Sequence, residues 1–479
     1  IRVDDKFYLV STSMHYVPGC PIAVSEDLVN WEMAGYALDR YDEDPKYDMQ
    51  GGNLYLNGAW ATTIRHHNGK FYVGFCTPYG WGRETGHFSI CIADDVKGPW
   101  ERTIFPEYLY DPGLFFDEDG KVYVVHGQGT LYLTELNSDV KSVKGKPVKI
   151  WQGGFKNAHE LGGGFGMEGS HMYRINGKYY ITCPAGGTGG WQICLRSDNI
   201  YGPYEHKLIM NDWSSYPENG LHQGGMVQLK NGDWWFMIMQ DRGPIGRVPC
   251  LVPVKWIDGW PMLGDEGKDL ITYPKPATGK KSKIKSPATT DEFNASQLGL
   301  QWQWNHNPDN LLWTLTERPG YLRLKTGKVV KNLFEARNTL TQRTEGPKCS
   351  GVISLDLTFM NDGDHAGLAA FCSEPGILSV VKEYGKKYLV MTDRNVEKAR
   401  RELNQDIVFL KMECDFTTDY AQFSYSLDDT NWTPIGDKFH MIFSMAHFTG
   451  NKFAIFNYAT KAAGGYVDVD FFRYEKQSN

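Results

Sequence analysis

Nowhere in these 479 residues does an apolar run reach 18, so no segment can cross a bilayer as a helix. No Cys-x-x-Cys pair and no Cys/His cluster has the spacing of a zinc site. Neither sign of charge is in excess: 50 basic and 57 acidic side chains leave a net charge of −7, which gives no basic footprint for nucleic acid. Helical periodicity is almost absent. There is no initiator Met, and the chain opens on Ile1 inside an apparent strand, so any signal peptide would lie outside this sequence. The expected compartment is the bacterial periplasm or cell surface rather than the cytoplasm. Nine cysteines, an odd number, are scattered over the chain, and Cys91, Cys183, Cys194 and Cys250 sit inside apolar strand runs. They read as small buried hydrophobes rather than disulfide partners.

What is present is one turn written five times. Asp4-Asp5-Lys6-Phe7-Tyr8, Asn68-Gly69-Lys70-Phe71-Tyr72, Asp119-Gly120-Lys121-Val122-Tyr123, Asn176-Gly177-Lys178-Tyr179-Tyr180 and Asn231-Gly232-Asp233-Trp234-Trp235 follow one another at spacings of 64, 51, 57 and 55 residues. Asn-Gly and Asp-Gly favour the hairpin turns that join twisted strands. Each copy is followed by further short strands, such as Phe88-Ser89-Ile90-Cys91-Ile92 and Trp191-Gln192-Ile193-Cys194-Leu195. A period near 50 with about four strands per unit is the signature of a β-propeller. Five blades are expected, within residues 1–270.

Counting back from the turns locates a candidate site. Eight residues before each turn residue stand Trp60, Asp111, Glu168 and Gln223, with His222 one further back. Equivalent positions in innermost strands converge on the central channel of a propeller. An indole, an imidazole and two carboxylates would therefore meet on one axis. Glu168 lies between Met167 and Gly169 at the head of an apolar strand, a poor place for a solvated charge, and it reads as a buried acid. Asp111 precedes Pro112, where an Asp can simply start a turn; its shared offset with Glu168 favours function. A lone His such as His222 is more often a satisfied core residue than a catalyst. Arg247, heading an apolar strand, could end that strand or aim fixed donors at sugar hydroxyls. The loop around Tyr79-Gly80-Trp81-Gly82-Arg83 could offer a sugar platform or simply pack.

Residues 271–288 are polar, basic and punctuated by proline, as a linker should be. Beyond them, segments such as Gly351-Val352-Ile353-Ser354-Leu355 and Tyr420-Ala421-Gln422-Phe423-Ser424 alternate in polarity, which predicts an antiparallel β-sandwich over residues 289–479. The fold class is thus all-β, a propeller followed by a sandwich of jelly-roll type.

Two carboxyls across a channel, beside aromatic and cationic groups, suit hydrolysis of a glycosidic bond. One must be protonated to release the leaving oxygen. Glu168 is the candidate acid, because Glu is intrinsically the weaker acid and a neighbouring Asp111 charge would disfavour its ionisation. A channel closed by side chains admits a chain end, which points to exo action. The competing reading is a degenerate propeller that only binds carbohydrate.

The motifs Tyr110-Asp111-Pro112-Gly113-Leu114-Phe115-Phe116, Met167-Glu168-Gly169-Ser170-His171-Met172-Tyr173, Val17-Pro18-Gly19-Cys20-Pro21-Ile22 and Ser25-Glu26-Asp27-Leu28-Val29-Asn30-Trp31 resemble glycoside hydrolase family 43, in the branch with a C-terminal concanavalin-like sandwich. The resemblance covers essentially the whole chain. It implies an inverting β-xylosidase or α-L-arabinofuranosidase acting on hemicellulose-derived glycans, with no cofactor for the chemistry. It makes Glu168 the general acid and Asp111 the group that tunes and orients it. Arg247 becomes the arginine that meets the terminal sugar, and His222 the central histidine. Trp60, Met14 and Tyr16 become parts of the sugar pocket, Met14 standing where an aromatic ring is more usual. The general base is expected just before Ile1. In the sandwich, Asp470, with Glu292 nearby, matches a position from which a structural Ca²⁺ is often held.

Overall fold

The computed structural model describes residues 1–477 apart from 81–84, 153–165, 186–189, 213–218, 271 and 281–285. Among the described residues there is no α-helix, only strands and four short 3-10 turns. Five four-stranded antiparallel sheets form the first part, four of them built from consecutive strands and the first from strands that skip the short segment Tyr16–Val17. Their innermost strands are Arg2–Val3, Trp60–His67, Gly113–Phe116, His171–Ile175 and His222–Gln228. The repeated turns join each of these to its neighbour. Asn68 and Asn176 have φ of 48° and 52°, and the glycines after them have 77° and 81°, the left-handed pair that a two-residue hairpin turn requires.

Apolar clusters between blades hold the ring together. Phe115, Tyr123, Met172 and Ile181 join the third and fourth blades, while Tyr180, Ile209, Phe236 and Ile238 join the fourth and fifth. A smaller cluster of Phe7, Leu28, Leu229 and Trp235 closes the fifth blade onto the first, with the Lys230–Asp5 ion pair outside it. All nine cysteines are free, and eight are buried.

The last propeller strand ends at Leu263, and the sandwich's own first strand is Gln303–Asn305. Two large antiparallel sheets face each other over a core that includes Leu340, Leu368, Leu410, Phe423, Phe453 and Phe472. One of them borrows a strand from the propeller. Tyr16–Val17 leaves the first blade and pairs with the strand at Trp304 and Asn305. Further hydrogen bonds stitch the seam: Asn307 Nδ2 donates to Tyr41 O at 2.6 Å, Tyr36 Oη to Leu300 O at 2.6 Å, and Arg337 reaches Asp48 at 2.8 Å. The two parts therefore share one sheet, and the sandwich is a fixed wall of the propeller.

Candidate active site

A cavity of about 620 Å³ lies on the propeller axis and is lined from all five blades. Trp60, Asp111, Glu168, Gln223 and Arg247 all face it. The shared register puts them there through local kinks. Asp111 sits at φ 49° and Gln223 at φ 56°, and the pairing slips between Trp60 and Thr63 and between His222 and Gly224. An extra residue at such a bulge turns one side chain off the regular pleat, here towards the axis.

The two carboxylates come from neighbouring blades that approach closely. A Cβ on Gly113 would lie 1.9 Å from the Ser170 carbonyl oxygen, so only glycine lets the third blade press against the fourth at this level. Asp111 is two residues before Gly113, and Glu168 two before Ser170. The Asp111 side chain is buried, and the Cys76 thiol lies 3.9 Å from its Oδ1. Burial, together with the Asp111 charge, pushes that thiol well above its ordinary range. Glu168 Oε2 accepts from Gln128 Nε2 at 2.6 Å and from Tyr110 Oη at 3.4 Å.

Opposite charge comes from Arg247. Its Nε donates to Asp241 Oδ1 at 3.2 Å, and Asp241 is buried. Its guanidinium lies 4.3 Å from the centre of the Phe448 ring, which meets Trp60 edge-on at 5.4 Å. Phe448 and Met445 belong to a short segment of the sandwich, and both line the cavity. The backbones also touch there, Arg247 N–H donating to Phe448 O at 3.3 Å. On the same axis Arg65 is half-buried, donates to Met172 O at 3.5 Å and faces the Tyr173 ring. Burial and then the Arg65 charge push His171, beside it, down to about 3, so this imidazole is neutral.

Three residues expected at the pocket are not among those that line it. Met14 is fully buried behind the second blade, its backbone bridged to Ala59. Tyr16 is carried away because its strand pairs into the sandwich, where the ring packs with Phe371 and Phe456. His222 lies beneath the cavity, fully buried, with Nδ1 3.1 Å from Gly220 O and Nε2 4.0 Å from Asp241. Burial holds its imidazole below the ordinary range, against the pull of the Asp241 carboxylate. Trp81 and Arg83 lie outside the described residues. Gln128, Tyr110, Arg65, Asp241 and Phe448 were not anticipated. The signal available for Arg65 was a cation within an innermost strand; Phe448, far along the chain, carried none.

The carboxylates expected to hold Ca²⁺ have arginines for neighbours. Glu292 lies 3.8 Å from Arg473, and the charges of Arg318 and Arg473 both act on Asp470. Beside them, Asp468 is taken up by Arg318 and Arg323 at 3.0 and 2.7 Å. Among the described residues no three His, Cys, Asp or Glu side chains gather as a metal site. Negative charge already neutralised by guanidinium is a poor cradle for a hard cation, and the residues present do not fit one.

A propeller with paired carboxyls, an arginine and an indole around an axial cavity, backed by a concanavalin-like sandwich, defines the class: an enzyme that hydrolyses glycosidic bonds. The family model for glycosyl hydrolases family 43 matches residues 1–261, and that for the beta xylosidase C-terminal concanavalin A-like domain matches residues 290–475. The chain belongs to glycosyl hydrolase family 43. It is 31% identical to a beta-xylosidase of Formosa agariphila, over 99% of this chain and 87% of the relative. It is 35% identical to a non-reducing end alpha-L-arabinofuranosidase of Bacteroides ovatus, over 85% and 76%. Among solved structures, a bifunctional GH43-CE protein of Bacteroides eggerthii superposes with a TM-score of 0.91 at 40% identity, covering 100% of this chain and 62% of that one. An engineered family 43 enzyme with endo-xylanase and exo-arabinofuranosidase activity superposes with a TM-score of 0.88 at 29% identity, covering 99% and 97%.

Proposed function

We propose that the protein removes single pentose units, α-L-arabinofuranose or β-D-xylose, from the non-reducing ends of hemicellulose-derived glycans, with inversion at the anomeric carbon. The observation that supports this most is the placement of Asp111 and Glu168 on one cavity, just ahead of two strands pressed together at Gly113. Glu168 donates a proton to the leaving oxygen. Asp111, buried on the same cavity, opposes a second negative charge and so favours the protonated acid. Arg247, braced by Asp241 and the Phe448 ring, fixes hydroxyls of the terminal sugar, and Trp60 supplies an apolar wall. Met445 and Phe448 close one side, which suits a chain end. Inversion also needs a second group that takes the proton of the attacking water.

The test is turnover of aryl α-L-arabinofuranosides and β-D-xylosides, with the anomer of the released sugar followed by NMR. Glu168→Gln should lower kcat/KM on an alkyl pentoside by about 10²–10⁴-fold and remove the alkaline limb of the pH profile. No release of either pentose by the wild-type protein, or retention at the anomeric carbon, would overturn this reading.

A further inference from the structure

The turn between the second and third strands of the third blade touches both acid-bearing segments. Gly127 N–H donates to Tyr110 O at 2.9 Å, next to Asp111, and Gly129 N–H donates to Met167 O at 2.9 Å, next to Glu168. Both glycines have positive φ, 112° and 69°, a conformation glycine adopts without strain. Between them Gln128 is held out towards the site, and its Nε2 meets Glu168 Oε2 at 2.6 Å. Tyr110 Oη approaches the same oxygen at 3.4 Å. Two neutral donors thus converge on one oxygen of the carboxyl that serves as acid.

We propose that Gln128 is the positioning residue of the proton donor: it fixes the plane of the Glu168 carboxyl through Oε2 and so assigns the transferable proton to Oε1. This rests on Glu168 being the general acid. An oxygen that accepts two hydrogen bonds plays the carbonyl part of a carboxylic acid, which leaves the hydroxyl part to its partner. In the reaction, the Oε1 proton passes to the glycosidic oxygen as the bond to the anomeric carbon breaks and its electron pair goes to that oxygen. The oxygen of water bonds to the anomeric carbon, and the water's proton leaves to the general base. A neutral amide suits this work better than a cation. Lysine or arginine at 2.6 Å would hold the carboxylate ionised and remove the proton the step needs.

Misplacing a proton donor is felt in proportion to how much the leaving group needs it. Gln128→Leu, and Gln128→Met as a second variant of closer shape, are compared with wild type on pentosides running from 2,4-dinitrophenyl through phenyl to methyl. Far-UV circular dichroism and urea midpoints check that each variant is folded. The expected loss in kcat/KM is under about threefold on the dinitrophenyl pentoside and grows to about 100-fold on the methyl pentoside, within the span of general acid catalysis. The alkaline limb moves to higher pH, because a donor to the ionised carboxyl has been removed. A loss of equal size on every leaving group, or an unmoved alkaline limb, in both folded variants would overturn the assignment of Gln128. Glu168→Gln on the same series separates the two claims. A loss that grows as the leaving group worsens keeps Glu168 as the acid whatever Gln128 does, whereas a uniform loss removes the reading on which this inference stands.

Discussion

At the residue scale, the site depends on one missing side chain. The third and fourth blades approach until a Cβ on Gly113 would overlap the Ser170 carbonyl, and the atom in the way is backbone, which cannot rotate aside. Gly113→Ala should therefore destabilise the protein by about 3 kcal/mol, the upper end of overpacking costs, and part the strands that follow Asp111 and Glu168. A urea midpoint close to wild type, with activity retained, would show that the approach is looser than this. The sequence showed the two acids at a matched offset, because turn chemistry and strand period are local. It did not show Gln128, whose turn reads as ordinary Gly-Gln-Gly punctuation until the neighbouring blade is in place. Nor did it show that Asp241 braces Arg247, since their pairing across a hairpin depends on where the strands turn.

At the scale of elements, a segment of the sandwich finishes the pocket. The 3-10 turn Met445–His447, capped by Ser444 Oγ, delivers Phe448 to the cavity, where its ring covers the Arg247 guanidinium at 4.3 Å. Stacking of this kind contributes about 0.5–2 kcal/mol, more as water is excluded. Phe448→Ala should thus raise KM for an aryl pentoside by about tenfold with a smaller change in kcat, because the ring walls the pocket and steadies Arg247 without touching the proton transfer. Steady-state kinetics decides this: an unchanged KM would mean that the ring does not shape the bound state. The misplacement of Met14 and Tyr16 has its origin at the same scale. Their segment reads locally as a Pro-Gly turn of the first blade, but Tyr16–Val17 hydrogen-bonds to a strand at Trp304 and Asn305. A strand pairing that spans such a separation leaves no trace in either stretch alone.

At the scale of the whole molecule, the seam between propeller and sandwich is built around three buried imidazoles. His15 from the first blade lies 4.6 Å from His306 and 5.3 Å from His447, ring centre to ring centre. His15 Nε2 meets Asn305 Oδ1 at 2.9 Å, and His306 Nε2 accepts from Leu54 N–H at 3.0 Å, which fixes the latter as neutral. Tyr16 and Tyr55 pack against the rings, and Lys452 faces them with Nζ 3.8 Å from the Tyr16 ring and Arg343 behind it. Burial pushes His306 down to about 3, with the His447 ring adding to it. Burial likewise pushes His447 down to about 3, with Lys452 adding to it, and His15 lies well below its usual range.

An unfolded histidine titrates near 6.5. Between about 6.5 and 3 the unfolded chain therefore carries protons that the folded seam refuses, so the share of stability that these imidazoles govern is whole above pH 6.5 and drains away as the pH falls. By pH 5 His306 and His447 should each cost about 2 kcal/mol relative to pH 7, with His15 adding in the same direction. His447 stands next to Phe448, so the loosening reaches the pocket wall. Urea midpoints measured at pH 7 and pH 5 should fall together with activity, and His447→Gln should flatten that fall, whatever it does to the midpoint at pH 7. A midpoint equally steep in pH for wild type and variant would mean that the acid sensitivity arises elsewhere in the molecule.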